Sequence, residues 1–315
     1  MNRFIRFFNQ NRIRIIVTIL IVVFIILIIQ AINYILKQAE PEAAPTEPEI
    51  VDTSRPSESV ISGEELPEET TDTNLNVISQ FVEYCNNKQY QNAYDLLTQD
   101  CKDELFGTLD LFVSNYCNQI FTSTMTYQLE LWYAASSTYT YRITYFTNNL
   151  LATGSATPTN TKEDYITIKT SRDGDKLNIN NFIEKDEINN SQTAEDTAIT
   201  IAVNDRYIYR DYEIYNITIS NNTDKTILIS NGVNSNDICL VDTNEVEYNS
   251  ILNEVPLVNL ELEPGISKTI EIRFNKMYNI YRTIDHMSFK NIILDKQAYE
   301  QNAESAATIS INIDI

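Results

Sequence analysis

Histidine is nearly missing from this chain of 315 residues, which holds one, His286. Proton transfer and nucleophile activation most often run through an imidazole, so this scarcity removes the commonest catalytic base from every position but one. Asp285 beside it suggests part of a triad, but neighbours on a strand point to opposite faces and no serine partner can be named. A surface or edge histidine is the expectation. Cysteine is sparse as well, four residues with no C-x-x-C pair, which argues against a structural zinc site. Bases are short of acids, 23 Lys plus Arg against 44 Asp plus Glu, and the resulting charge of −21 excludes a protein that coats nucleic acid through phosphate contacts. No cofactor is expected.

The few bases are concentrated at one end. Arg3, Arg6, Arg12 and Arg14 precede an apolar run, IIVTILIVVFIILIIQAINYIL, that extends from Ile15 to Leu36 without a formal charge. As a helix it would span about 33 Å, enough for a bilayer core. Lys37 follows, and then glutamates, so the basic side reads as cytoplasmic and the rest as exported. The run exceeds a signal-peptide core and no small-x-small cleavage site closes it, which favours an uncleaved anchor. Residues 37–74 are rich in Pro and Glu and poor in large apolar side chains, the composition of a disordered stalk or, alternatively, an acidic docking motif.

From Asn74 the apolar period becomes helical, with Val77, Ile78, Phe81, Val82 and Cys85 on one face. Two further helices are expected in QYQNAYDLLT and TLDLFVSNYCNQIF. The period then becomes two: TYQLELWY, TYTYRITYF and DYITIKTSRDGDKLNINNFI read as strands, the last split at Asp173-Gly174. With NNKQYQNAYDLL between the first helices and the closing hairpin, residues 75–185 resemble the nuclear-transport-factor-2-like, or cystatin-like cone, superfamily. That resemblance implies three helices on a curved sheet and identifies no catalytic residue.

After a polar linker at 186–196, the segments TAITIAV, YEIYNITIS, KTILIS, DICLVD, SKTIEIRF, MSFKNIILD and ATISINIDI alternate as strands. The pieces YEIYNITISNNTDKTI, LELEPGISKTIEIRF and FKNIILD resemble bacterial immunoglobulin-like (telokin-like) domains, without the Cys, Trp, Cys arrangement of antibody domains. The fold class expected is therefore an α+β cone domain plus an all-β immunoglobulin-like sandwich at 197–315, preceded by one transmembrane helix and a basic tail at 1–14.

Candidates for chemistry are few. The cone fold can host isomerases that pair a carboxylate with a tyrosine, so Tyr139, Tyr141 and Tyr145, on one face of a strand, are the candidate cavity lining. Glu130 lies on the opposite parity to its strand's apolar face, with Arg142 as its expected cross-strand partner. Tyr207, Tyr209, Tyr212 and Tyr215 could form a binding platform, although tyrosine is also simply favoured in strands. Cys85, Cys101 and Cys117 allow one disulfide, with buried thiols the simpler reading. Asp242, Asn244, Glu245 and Glu247 offer oxygen ligands for calcium at a spacing that fits no standard loop. Asn189, Asn216 and Asn221 head glycosylation sequons.

Asn, Ile, Lys and Tyr outweigh Ala and Gly, as AT-rich bacterial genomes encode. The function expected is a non-enzymatic envelope protein of a Gram-positive-like bacterium. It would be held by residues 15–36 and bind an envelope protein or wall polymer, with no nucleic acid and no oligomeric state specified. Two alternatives are a scaffold of a conjugation or type IV secretion machine, whose layout is similar, and a small-molecule-binding or isomerase-like enzyme using the cone cavity.

Overall fold

The computed structural model describes residues 56–315, apart from 136–137, 148–158, 172–173, 195–196, 233–234, 253–254 and 276–282. Helix α1 (Glu68–Asn86) opens with Glu68 and Glu69, whose charges complement the helix N-terminus. It buries Thr71, Asn74, Ile78, Phe81, Val82 and Cys85 along one stripe. Order begins before the helix. The Glu58–Glu65 bridge folds residues 57–66 back on themselves, and Val60 and Ile61 donate their N–H groups to the carbonyls of Leu131 and Trp132, each at 3.0 Å. The end of the expected stalk is thus laid against a sheet edge.

Short helices follow: α2 (Tyr90–Asp95), α3 (Gln99–Leu105), α4 (Leu109–Phe112), a π-turn over Val113–Cys117, and α5 (Asn118–Ile120). Thr98 and Thr108 restart the chain as N-caps, their hydroxyls accepting from the N–H of Cys101 at 3.0 Å and of Leu111 at 3.3 Å. Gly107 between them takes φ +68°, a conformation that ends a helix.

Strands β1 (Thr126–Ala135), β2 (Thr138–Thr147), β3 (Thr159–Ser171) and β4 (Gly174–Asn178) form an antiparallel sheet in that order. The expected pair Glu130–Arg142 lies directly opposite across β1 and β2, and its side chains are joined in an ion pair. Strand β5 (Phe182–Thr193) then leaves this sheet and pairs with β6 (Ile199–Tyr209), followed by β7 (Tyr212–Asn221). Next come β8 (Ile227–Leu228), β9 (Ile238–Asp242), β10 (Glu247–Asn249), β11 (Glu261–Leu262), β12 (Ser267–Asn275), β13 (Ile284–Ile293), helix α6 (Lys296–Gln301) and β14 (Thr308–Asp314). A second sheet has the order β12-β7-β6-β5. The third has β10-β9-β13-β8-β11, with β14 paired to β13.

The second and third sheets share one core. Ile201, Val203, Ile217, Ile219, Ile272 and Phe274 from one meet Ile227, Leu240, Met287, Phe289, Ile311 and Ile313 from the other. Each such side chain contributes about 1.5–3 kcal/mol on burial. The first core does not stop at residue 185: it takes in Tyr209, with Tyr207, Tyr212 and Ile214 packed against it. The described residues from Pro56 onward accordingly belong to one compact unit.

This corrects the expected fold class. Strand makes up 49% of the structure and the helices are few and, after α1, short. A cone domain is not supported: the Thr98 and Thr108 caps and Gly107 divide residues 90–120 into short helical pieces, the last of which runs from Leu109 to Ile120 through the π-turn. Nor does a linker separate a cone domain from a sandwich. Most of the polar stretch 186–196 continues strand β5, an edge strand that can be polar because only one of its sides pairs. Among the described residues no helix is long and apolar enough to cross a membrane. Residues 15–36, where the span is expected, lie outside the described residues.

Candidate functional site

The tyrosines expected to line a cavity lie on β2 and are packed rather than open. Tyr141 and Tyr145 are fully buried, and Tyr139 is half-buried against the same core. The Tyr141 hydroxyl accepts from Nδ2 of Asn74 on α1 at 3.1 Å. Tyr145 meets the Tyr116 hydroxyl at 3.3 Å and the edge of Phe121, ring centroids 5.3 Å apart. Helix side chains occupy the space on the sheet's inner face.

The acid that does reach these tyrosines is Asp164, which the sequence reading passed over. It stands on β3 opposite Ile143 and shares the inward parity of Ile166 and Ile168. An acid on the apolar face of a strand was the signal available. Four donors converge on its carboxylate. Oδ2 accepts from the Tyr116 hydroxyl at 2.7 Å and the Asn180 N–H at 3.0 Å, and Oδ1 from the N–H groups of Tyr165 at 2.7 Å and Asn181 at 2.9 Å. Asn180 and Asn181 both adopt left-handed φ, +59° and +63°, which turns their successive N–H groups inward as an anion nest. Burial pushes the Asp164 carboxyl up to about 6, against the downward pull of those four hydrogen bonds. Asp164 thereby clamps the turn at which the chain passes from the first sheet to the second. With every acceptor position engaged, it has none to offer a substrate proton.

The remaining candidates resolve into local structure. Glu130 and Arg142 are partly exposed on the outer face. His286 Nδ1 lies 2.8 Å from Asp285 Oδ2, a contact that strict alternation would forbid; a register shift between Ile284 and His286 against β9 bends the strand locally and permits it. Asp242 caps its own turn, Oδ1 accepting from Asn244 N at 2.9 Å and Val246 N at 3.0 Å and Oδ2 from the Tyr248 hydroxyl at 3.0 Å. Glu247 pairs with Lys290, and among the described residues no cluster of three or more His, Cys, Asp or Glu is placed to hold a metal. Cys85, Cys101, Cys117 and Cys239 are buried free thiols, and burial raises Cys101 to about 12.

Tyr209 and Tyr212 stack on each other at 4.5 Å, Arg273 lies 3.7 Å over Tyr212, Lys185 covers Tyr207 at 5.5 Å, and Tyr215 is fully buried. These rings are consumed by packing. Asn221 is buried and donates to the Leu262 carbonyl at 3.0 Å, so its amide is unavailable to a glycan; Asn189 is exposed.

An open feature lies elsewhere. Strands β5 and β14 are edges of the second and third sheets, and the Asn190 side chain donates to the Asp314 carbonyl at 2.9 Å where they approach. Beyond that contact a cleft of about 440 Å³ opens between Gln192–Ala194 and Ile309–Asn312. No periodicity signals it, because it is formed by two strands more than a hundred residues apart.

No family model and no curated protein matches the chain. Among solved structures, a functionally unknown protein from Listeria monocytogenes EGD-e is similar at 10% identity and a TM-score of 0.28, over 42% of this chain and 85% of that one. A conserved hypothetical protein from Bacillus anthracis is similar at 14% identity and a TM-score of 0.25, over 40% of this chain and 96% of that one. At those scores neither likeness carries an argument about fold or function.

Proposed function

We propose that this chain is a non-catalytic binding or assembly protein of a bacterial cell envelope, attached to the membrane through its apolar residues 15–36 and presenting residues 56–315 outside. The observation that carries the non-catalytic reading is the state of its best chemical candidates. Tyr141, Tyr145 and Asp164 are buried against helix side chains, and the acid's acceptor positions are engaged by four donors. The basic flank before residue 15 and the acids after residue 37 support the orientation. Crosslinking the full chain in intact cells, followed by mass spectrometry of what it captures, tests the reading. Envelope proteins or wall polymer are the expected products; turnover of a small molecule by the purified chain, lost in Asp164→Asn, would overturn it.

A further inference from the structure

From the cleft between β5 and β14 we infer a strand-addition site for an extended, basic polypeptide segment of a partner protein; the inference rests on the binding role proposed above and names its surface. Among the described residues β5 pairs only with β6 and β14 only with β13, so alternate N–H and C=O groups of each strand have no ladder partner. The two strands meet through Asn190 and Asp314 and then diverge, leaving about 440 Å³, within the range of peptide- and ligand-sized clefts.

Charge and proline, two usual guards of an edge, are missing here, while β5 carries a bulge between Glu187 and Asn190 just before the cleft. Ile188–Thr193 and Thr308–Ile313 contain no lysine, no charged residue and no proline, although the chain as a whole is 21% charged. Ser310 and Asn312 make no side-chain hydrogen bond among the described residues, which leaves both available to a guest strand.

Charge selects the guest. The cleft itself is neutral, while Asp314, Asp285 and Glu187 are exposed on β14, β13 and β5. A second copy, whose whole chain also carries a net charge of −21, is disfavoured by repulsion, whereas a basic segment is attracted. Main-chain pairing would supply affinity and the charge would supply discrimination.

The test is fluorescence anisotropy of the full-length chain with a labelled peptide, Lys-Thr-Val-Thr-Val-Thr-Val-Lys, beside a version with glutamates at both ends and one with a central proline. The basic peptide is expected to bind at least ten-fold more tightly than either control, with amide-exchange protection rising over 308–314. Ser310→Lys, at an exposed strand position, should weaken it ten-fold or more while leaving the melting temperature unchanged. Thr193→Lys provides the same repulsion from the opposite strand should the first variant unfold. Equal binding of all three peptides, binding untouched by both lysine variants, or no binding at millimolar peptide would overturn the inference. Capture of wall polymer alone would also overturn it. If cellular crosslinks persist unchanged in Ser310→Lys, the general binding role stands and this surface is excluded from it; if they vanish from the parent chain as well, both fail.

Discussion

Asp164→Asn separates the two opposing effects at the buried carboxylate. The substitution replaces one oxygen by an amide, so two of the four converging donors face another donor, at about 1–3 kcal/mol for each one left unsatisfied. It also removes a buried charge. The folded-state value of about 6 lies above the ordinary 3.8, so the folded protein holds this proton more tightly than the unfolded chain. The sign follows: this stabilising contribution is complete below pH 3.8 and is lost as pH rises through 6. The interval from 3.8 to about 6 corresponds to about 3 kcal/mol for this fully buried group. The wild-type chain should therefore lose about 3 kcal/mol relative to Asp164→Asn between pH 3.5 and pH 7, a differential in which the titration of all other groups cancels. Urea unfolding followed by fluorescence of Trp132, the single tryptophan, reads it directly, since that ring lies edge-on to Tyr165 at 5.0 Å, beside the acid. A wild-type-minus-variant difference that stays flat across this range would refute the assignment of the titration to Asp164.

Thr98→Ala removes the cap of α3 together with a hydroxyl that hydrogen-bonds Asn178, and should cost about 1–2 kcal/mol in the same melts; a change within error would mean that the restart of the chain at residue 98 does not depend on the cap. Thiol titration of the native chain with an aromatic disulfide should find none of the four cysteines reactive, and all four after unfolding in urea without reductant. Only two after unfolding would reveal a disulfide.

Most strands were legible because one face of each is buried and the alternation of TYTYRITYF or YEIYNITIS is the direct imprint of that burial. The Glu130–Arg142 pairing was legible for the same reason, since opposite charges on the outer parity of adjacent strands find each other across the ladder. The lower boundary of the folded region was misplaced because Ser57–Leu66 has the composition of a stalk and is held by backbone bonds to β1, which composition does not encode.

Charge balance, the uncharged run at 15–36, strand periodicity and the scarcity of catalytic side chains can be read from the chain alone, because all are local or additive properties. Tertiary structure alone decided the rest. It carried β5 from the first sheet's neighbourhood into the second sheet, filled the space beside Tyr141 and Tyr145, gathered four donors from three segments around Asp164, and set β5 and β14 side by side with a cleft between them. Each of these depends on contacts between residues far apart in the chain, whose pairing is chosen by global packing and register rather than by any property of the segments taken singly.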